Sequence, residues 1–213
     1  MNTCFEMILW LLEQADYESR SKKRIQDFTR NRKMPFKHLM FFMLSMVKES
    51  SQNALERFFP KMKQAMHMTQ QAFSLARQKI KWEAFLELFR ASVKGSYNET
   101  LKYWRGFLLM AIDSSHIALP KDAALGEYYG ATGHEHTAPT ARASILYDRE
   151  NDIIGDATIK PLSKDERTLA KGHLEVFTGM REELGGREGI VIFDRGYPSK
   201  EFIKYLQDKG IKF

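Results

Sequence analysis

Two aspartates stand at matching places in the chain. Asp113 follows the apolar run Phe107–Ile112, "FLLMAI", and Asp194 follows Ile190–Phe193, "IVIF", 81 residues apart. A short continuous apolar run suits a strand buried on both faces. An aspartate at the carboxyl end of such a strand emerges where α/β sheets form their ligand crevices. If the two strands are neighbours, the carboxylates converge and repel unless a cation lies between them. A hard divalent ion such as Mg2+ takes oxygen ligands and keeps waters, which leaves room for a phosphate oxygen. Two such ions about 3.5–4 Å apart clamp the attacking and leaving oxygens of phosphoryl transfer. Aspartates also end strands because they favour turns. One alone says little; two in equivalent positions point to chemistry.

The elements around them form an α/β pattern. After Trp104 come "FLLMAI", a Gly-rich loop "ALGEYYGATGHEHTAPTA", and two strands, "RASILYD" and "IIGDATIKP", joined by a polar turn into an antiparallel hairpin. The segment "SKDERTLAKGHLEVFTGMREELGG" predicts a helix with Ser163 as N-cap and Glu166 at N3, closed by Gly185 and Gly186. Next come the strand "GIVIFD", a helix capped by Ser199 and stopped by Gly210, and the opening of a strand in "IKF". The order β-β-β-α-β-α-β predicts a mixed sheet flanked by helices over residues 105–213.

Residues 1–104 read as helices. Leu39, Phe42, Met43, Met46 and Val47 mark one amphipathic face with Pro35 near its start, and a second helix, "SQNALERFF", ends at Pro60. Thr69 is an N-cap for either one bent helix or two. Residues 1–105 carry 19 basic and 10 acidic side chains, whereas the remainder carries 14 and 17. A basic front half predicts contact with a polyanion, and a small basic helical domain is the form of helix-turn-helix DNA-binding units. The candidate phosphate contacts are Arg20, Lys22, Lys23, Arg24, Arg30, Arg32 and Lys33. A charged, solvated helix face is the plainer alternative.

Cys4 is the only cysteine, which excludes a disulfide framework and a cysteine zinc site. "MILWLL" lacks a basic flank and a cleavage site, and "LMFFMLSMV" is too short to span a bilayer. The expectation is a soluble cytoplasmic protein with no membrane partner. His134 and His136 form a His-x-His pair for which no further metal ligand is placed.

Three stretches carry a family resemblance: "AIDSS" (111–115), "PTARASILYDRENDIIGDATIKP" (139–161) with "DERTLA" (165–170), and "FDRGYPSKEFIKYL" (193–206). They resemble the DDE transposases of bacterial insertion sequences, specifically the insertion-sequence-four group, whose catalytic domain has a ribonuclease H-like fold. The resemblance implies an enzyme that hydrolyses a phosphodiester at the element end and joins the freed 3′-hydroxyl to target DNA. It implies Mg2+ (or Mn2+) as cofactor and double-stranded DNA, element ends and target, as partner at the nucleoid. By it, Asp113 and Asp194 are metal-binding catalytic carboxylates, Arg195 and Tyr197 hold DNA phosphates or position the strand end, and Gly196 lets the backbone turn. Turn formation and packing are the alternative roles for these three residues. The first-aspartate motif reads Asp-Ser-Ser-His, where glycine or a small residue and threonine are more usual, and His116 is a DNA contact or nothing. The family's third carboxylate is a glutamate in a Tyr-x-x-Arg-x-x-x-Glu-x-x-x-x-x-x-Lys pattern, which this chain lacks; Glu201 comes too early. The expectation is a C-terminally truncated transposase, inactive alone, or else a DNA-binding or dimerising fragment that regulates an intact transposase. A host nuclease of the same fold is a third possibility.

Overall fold

The computed structural model describes residues 3–29, 34–45, 50–61, 68–98, 100–133, 138–183, 186 and 188–213. The chain divides into two compact units, Met1–Asn98 and Glu99–Phe213. No helix among the described residues is long and apolar enough to cross a membrane.

The first unit contains α1 (Thr3–Glu13), α2 (Ala15–Ser21), α3 (Phe36–Ser45), α4 (Ser51–Lys61), α5 (Gln70–Arg77) and α6 (Glu83–Tyr97). Its core gathers Tyr17, Phe36, Leu39, Met40, Phe42, Leu55, Phe73 and Leu88. Phe42 and Phe73 meet edge to face at 4.9 Å, the arrangement that ring quadrupoles favour. The buried Tyr17 hydroxyl donates to the Ala84 carbonyl at 2.8 Å, and burial pushes its pKa up to about 12. α1 crosses α6 closely at Gly95, where a Cβ would lie 2.6 Å from the Cys4 Cα.

Thr69 caps α5 as expected, accepting from Ala72 N at 3.2 Å. The stretch after it is two helices, not one bent one. Between them the chain turns extended and pairs with residues 21–23: Lys23 N donates to Lys79 O, and Lys81 N to Ser21 O, both at 2.8 Å. Ile80 is buried at that break, so packing takes the segment out of the helix. α4 runs one residue past Pro60. Met46 and Val47, expected on the α3 face, lie outside the described residues.

The second unit contains β1 (Leu108–Ala118), α7 (Ala123–Tyr129), β2 (Ala131–Thr132), β3 (Ala138–Asp148), β4 (Ile153–Pro161), α8 (Glu166–Glu183), β5 (Gly189–Phe193) and α9 (Lys200–Asp208). β1 pairs antiparallel with β3 and parallel with β5, and β4 pairs with β3, so the sheet is mixed as predicted. Gly155 is the extra residue of a bulge opposite Leu146 and Tyr147. Leu169, Ala170, Leu174 and Phe177 on α8 are buried with Met110, Ile112 and Leu146 of the sheet. Behind Phe193, Phe202 of α9 stands edge-on at 5.2 Å. Residues 100–104 belong to this unit because Lys102 N donates to Asn151 Oδ1 at 2.7 Å and Asn151 Nδ2 returns a bond to Lys102 O at 3.0 Å.

Three local expectations change. The Gly-rich loop holds α7, started by the Asp122 carboxylate accepting from Leu125 N at 3.2 Å and stopped at Gly130. β1 runs six residues beyond Ile112 because β3 pairs with Ser114–Ala118, so polar residues there are strand, not loop. The cap of α8 is Asp165 rather than Ser163. Its carboxylate accepts from Thr168 N at 3.0 Å and from the Thr168 hydroxyl at 2.5 Å, while Ser163 lies in the preceding turn.

The Thr168 hydroxyl and then its N–H hold the Asp165 carboxyl below its ordinary pKa. That stabilisation is full above the unfolded carboxylate value of about 3.9 and is lost as pH falls through the lower native one. Asp165→Ala should therefore lower stability by about 1 kcal/mol at neutral pH, a typical loss for an N-cap. In acid denaturation monitored by circular dichroism, the difference between variant and parent should vanish below the native pKa.

Candidate active site

The parallel ladder between β1 and β5 pairs Leu108 with Gly189 and proceeds step by step to Ile112 with Phe193. The next step in that register is Asp113 beside Asp194. Paired strands lie about 4.8 Å apart, so the two backbones leave the ladder side by side. Asp113 is thus not the last residue of its strand, as the sequence suggested, but the first beyond the parallel pairing. β5 ends there because Asp194 folds the chain back: its Oδ1 accepts from Gly196 N at 3.3 Å and its carbonyl from Tyr197 N at 3.1 Å.

Strand alternation puts Asp113 on the face opposite Ile112. Ile112 is 2% exposed on the side that α8 covers. The Asp113 side is open: Ile154, Ile159 and Ile192, which share it by register, are 43%, 51% and 44% exposed. Among the described residues Asp113 Oδ1 accepts only from Ser114 N, at 2.8 Å. Among the described residues neither aspartate makes an ion pair, so both carboxylates keep free oxygens on neighbouring strands. Two hard oxygen donors fit an ion such as Mg2+ as part of a ligand set. No group of three His, Cys, Asp or Glu side chains able to hold a metal occurs among the described residues. Glu201 sits in the first turn of α9, its pKa lowered chiefly by a main-chain N–H there.

The loop after Asp194 is fastened from α8. Arg167 Nε donates to Tyr197 O at 2.8 Å and its Nη2 to Gly196 O at 3.0 Å, while the neighbouring Glu166 pairs with Arg142 of β3. Neither arginine is among the candidate site residues, although both lie in stretches that carry the family resemblance, Arg142 in "PTARASILYD" and Arg167 in "DERTLA". Arg195 is exposed. Tyr197 is 1% exposed, with its ring 5.5 Å from that of Phe193, so its side chain packs into the core. Burial raises the Tyr197 pKa, with the neighbouring Ser114 hydroxyl opposing the rise, although among the described residues the two hydroxyls do not reach hydrogen-bonding geometry. Gly196 has no left-handed φ, and a Cβ there would meet nothing within 4 Å. The Asp194 carboxylate, not glycine freedom, makes that turn.

His116 lies exposed on β1 opposite Arg142. His134 and His136 fall outside the described residues, as do Arg30, Arg32 and Lys33. In the first unit Arg20 is held by Glu87 at 2.9 Å and by Asp16, and Lys22 is paired with Glu18 at 3.5 Å. Lys23 and Arg24 are exposed and form no ion pair among the described residues.

Arg167→Leu should free both carbonyls and loosen residues 194–197. Two hydrogen bonds from a charged donor at a partly solvated site amount to about 1–2 kcal/mol. Amide exchange at Gly196 and Tyr197 should accelerate more than in the core of β1, and unchanged exchange there would refute the clamp.

No curated protein matches the chain. Residues 104–213, just over half of its length, match the family described as Transposase DDE domain, the segment that contains the whole sheet, both aspartates and the clamped loop. With a mixed sheet flanked by helices and two aspartates issuing side by side from adjacent parallel strands, the chain belongs to the DDE transposase family.

Proposed function

We propose that Asp113 and Asp194 are metal-binding catalytic carboxylates of a transposase of the insertion-sequence-four group. The observation that carries this reading is the register that brings them out together beyond Ile112 and Phe193. Bound Mg2+ or Mn2+ would supply Lewis-acid stabilisation of the phosphoryl oxygens in strand cleavage and strand transfer. The chain's own part is to hold two carboxylates on a rigid sheet edge and to keep the Asp194 loop in place through Arg167. Arg195, exposed next to Asp194, is the natural contact for a DNA phosphate; the buried Tyr197 is assigned to packing.

The helical unit is proposed to bind element-end DNA. Lys23 and Arg24 are its best-supported phosphate contacts, since Arg20 and Lys22 are occupied by carboxylates. Glu201 belongs to the helix directly after the loop. The exposed Lys23 and Arg24 also suit a second reading, a DNA-binding or dimerising protein whose partner is an identical chain or an intact transposase. On either reading it acts on DNA in the cytoplasm, at the nucleoid.

Two measurements check these proposals. Purified 1–213 should bind Mn2+ and lose that binding with Asp113→Asn or Asp194→Asn. Mn2+ binding indifferent to both substitutions would overturn the site. DNA affinity should fall steeply with salt, and Lys23→Ala with Arg24→Ala should reduce the slope of log K against log salt by about 2, roughly one for each phosphate no longer neutralised. An unchanged slope would remove these two residues from the interface.

A further inference from the structure

A buried chain of polar groups runs behind Asp113, on the sheet face that α8 covers. His173 of α8 is 1% exposed. Its Nδ1 lies 2.7 Å from Asp156 Oδ2 on β4, and its Nε2 lies 3.0 Å from Ser144 Oγ on β3. Ser144, also 1% exposed, donates its hydroxyl to the main-chain carbonyl of Asp113 at 3.2 Å. One carboxylate, one imidazole and one hydroxyl thus tie four elements together at the residue where β1 leaves the parallel ladder.

Carboxylate, imidazole and serine in this order are also the parts of an activated serine nucleophile. Burial excludes that role here. Ser144 Oγ lies under α8 and is directed to a peptide carbonyl, and no substrate carbonyl or phosphate reaches it without removing the helix. What the geometry can do is fix the backbone of Asp113. Past Ile112 the strand has lost its β5 neighbour, and its ladder bonds come from β3 alone. A side-chain bond to the Asp113 carbonyl adds a restraint at that step. The three bonds coexist with a proton on both ring nitrogens: Nδ1–H donates to Asp156 and Nε2–H to Ser144 Oγ, which leaves the one Ser144 hydroxyl proton for the Asp113 carbonyl and keeps that rotamer from turning away.

We propose that Asp156, His173 and Ser144 are positioning residues for Asp113, setting the direction in which its carboxylate leaves the sheet. The proposal rests on the assignment of Asp113 as a metal-binding carboxylate. Supporting groups of this kind change metal affinity by about 10–100-fold when removed, with the ligands themselves intact.

The test uses the full 213-residue chain, with Mn2+ affinity read from the free-ion resonance by electron paramagnetic resonance, and metal-free amide exchange read at Ser114. Ser144→Ala and His173→Leu should each weaken Mn2+ binding about tenfold. Asp156→Asn still accepts from Nδ1–H but removes the charge that favours a proton on both ring nitrogens, so it should weaken binding, as should Asp156→Ala. In the metal-free chain, Ser144→Ala should speed exchange at Ser114 relative to the core of β3. If these variants lower the melting temperature while Mn2+ affinity and Ser114 exchange stay at parent values, the groups only brace α8 and the proposal fails. If the parent binds no Mn2+ that Asp113→Asn removes, the metal assignment fails separately. Faster Ser114 exchange in Ser144→Ala then still upholds the restraint on β1, and unchanged exchange rejects it. Should His173→Leu not fold, the conservative Ser144→Ala decides the question.

Discussion

The parallel register of β1 on β5 is the constraint on which the rest of this domain depends. It is held by apolar pairs, Leu109 with Ile190 and Met110 with Val191, and it expires where two aspartates follow. Because side chains alternate, a slip of one residue would turn one carboxylate into the α8-covered face. There it would be stripped of water without a cation, which costs several kcal/mol. Burial of Met110, Ile112 and Val191, each at 2% exposure or less, therefore fixes the direction of Asp113 as firmly as any contact the aspartate makes.

α8 converts that register into a rigid site. Its sheet-facing positions Leu169, Ala170, Leu174 and Phe177 supply the apolar contact, and polar residues on the same helix reach three separate strands or loops. Glu166 takes Arg142 of β3, Arg167 takes the carbonyls after Asp194, and His173 takes Asp156 and Ser144. Apolar packing alone permits small sliding of a helix on a sheet. Directional bonds to β3, β4 and the Asp194 loop do not, which is why a helix carrying neither aspartate governs the geometry of both.

What is legible in the sequence follows from what each signal measures. Continuous apolar runs measure burial on two faces, so the central stretches of β1 and β5 and the aspartates after them are visible. The outer half of β1, "SSHIA", has half-buried or exposed side chains, and a burial signal passes over it even though β3 pairs with its backbone. Ser163 and Asp165 are both good caps; the turn in which Lys164 N bonds to Pro161 O decides between them, and that bond belongs to the strand end rather than to the helix. Thr69 and Ser199 have no competitor nearby and cap their helices as expected. Arg167, His173 and Ser144 leave no signal that spacing could detect, since their partners lie 17 to 31 residues away. Only the folded sheet brings such pairs together.

Three aspartates lie on the strands, and their surroundings differ in a way that bears on function. Asp148 is fully buried and accepts from Asn151 Nδ2 at 3.0 and 2.9 Å. Asp156 accepts from His173. Among the described residues Asp113 accepts only from a main-chain N–H, on the open face, and Asp194 follows the strand paired with its own. A single exposed carboxylate is satisfied by water and requires no explanation. Two that issue from adjacent strands, 81 residues apart in the chain, are brought into one register only by the fold. On the proposed reading, a divalent cation would take ligands from both, so its affinity would be distributed over two side chains that the native state alone brings together. Ligand binding confined to the native state stabilises it by mass action. Metal uptake would therefore report on correct folding of the site.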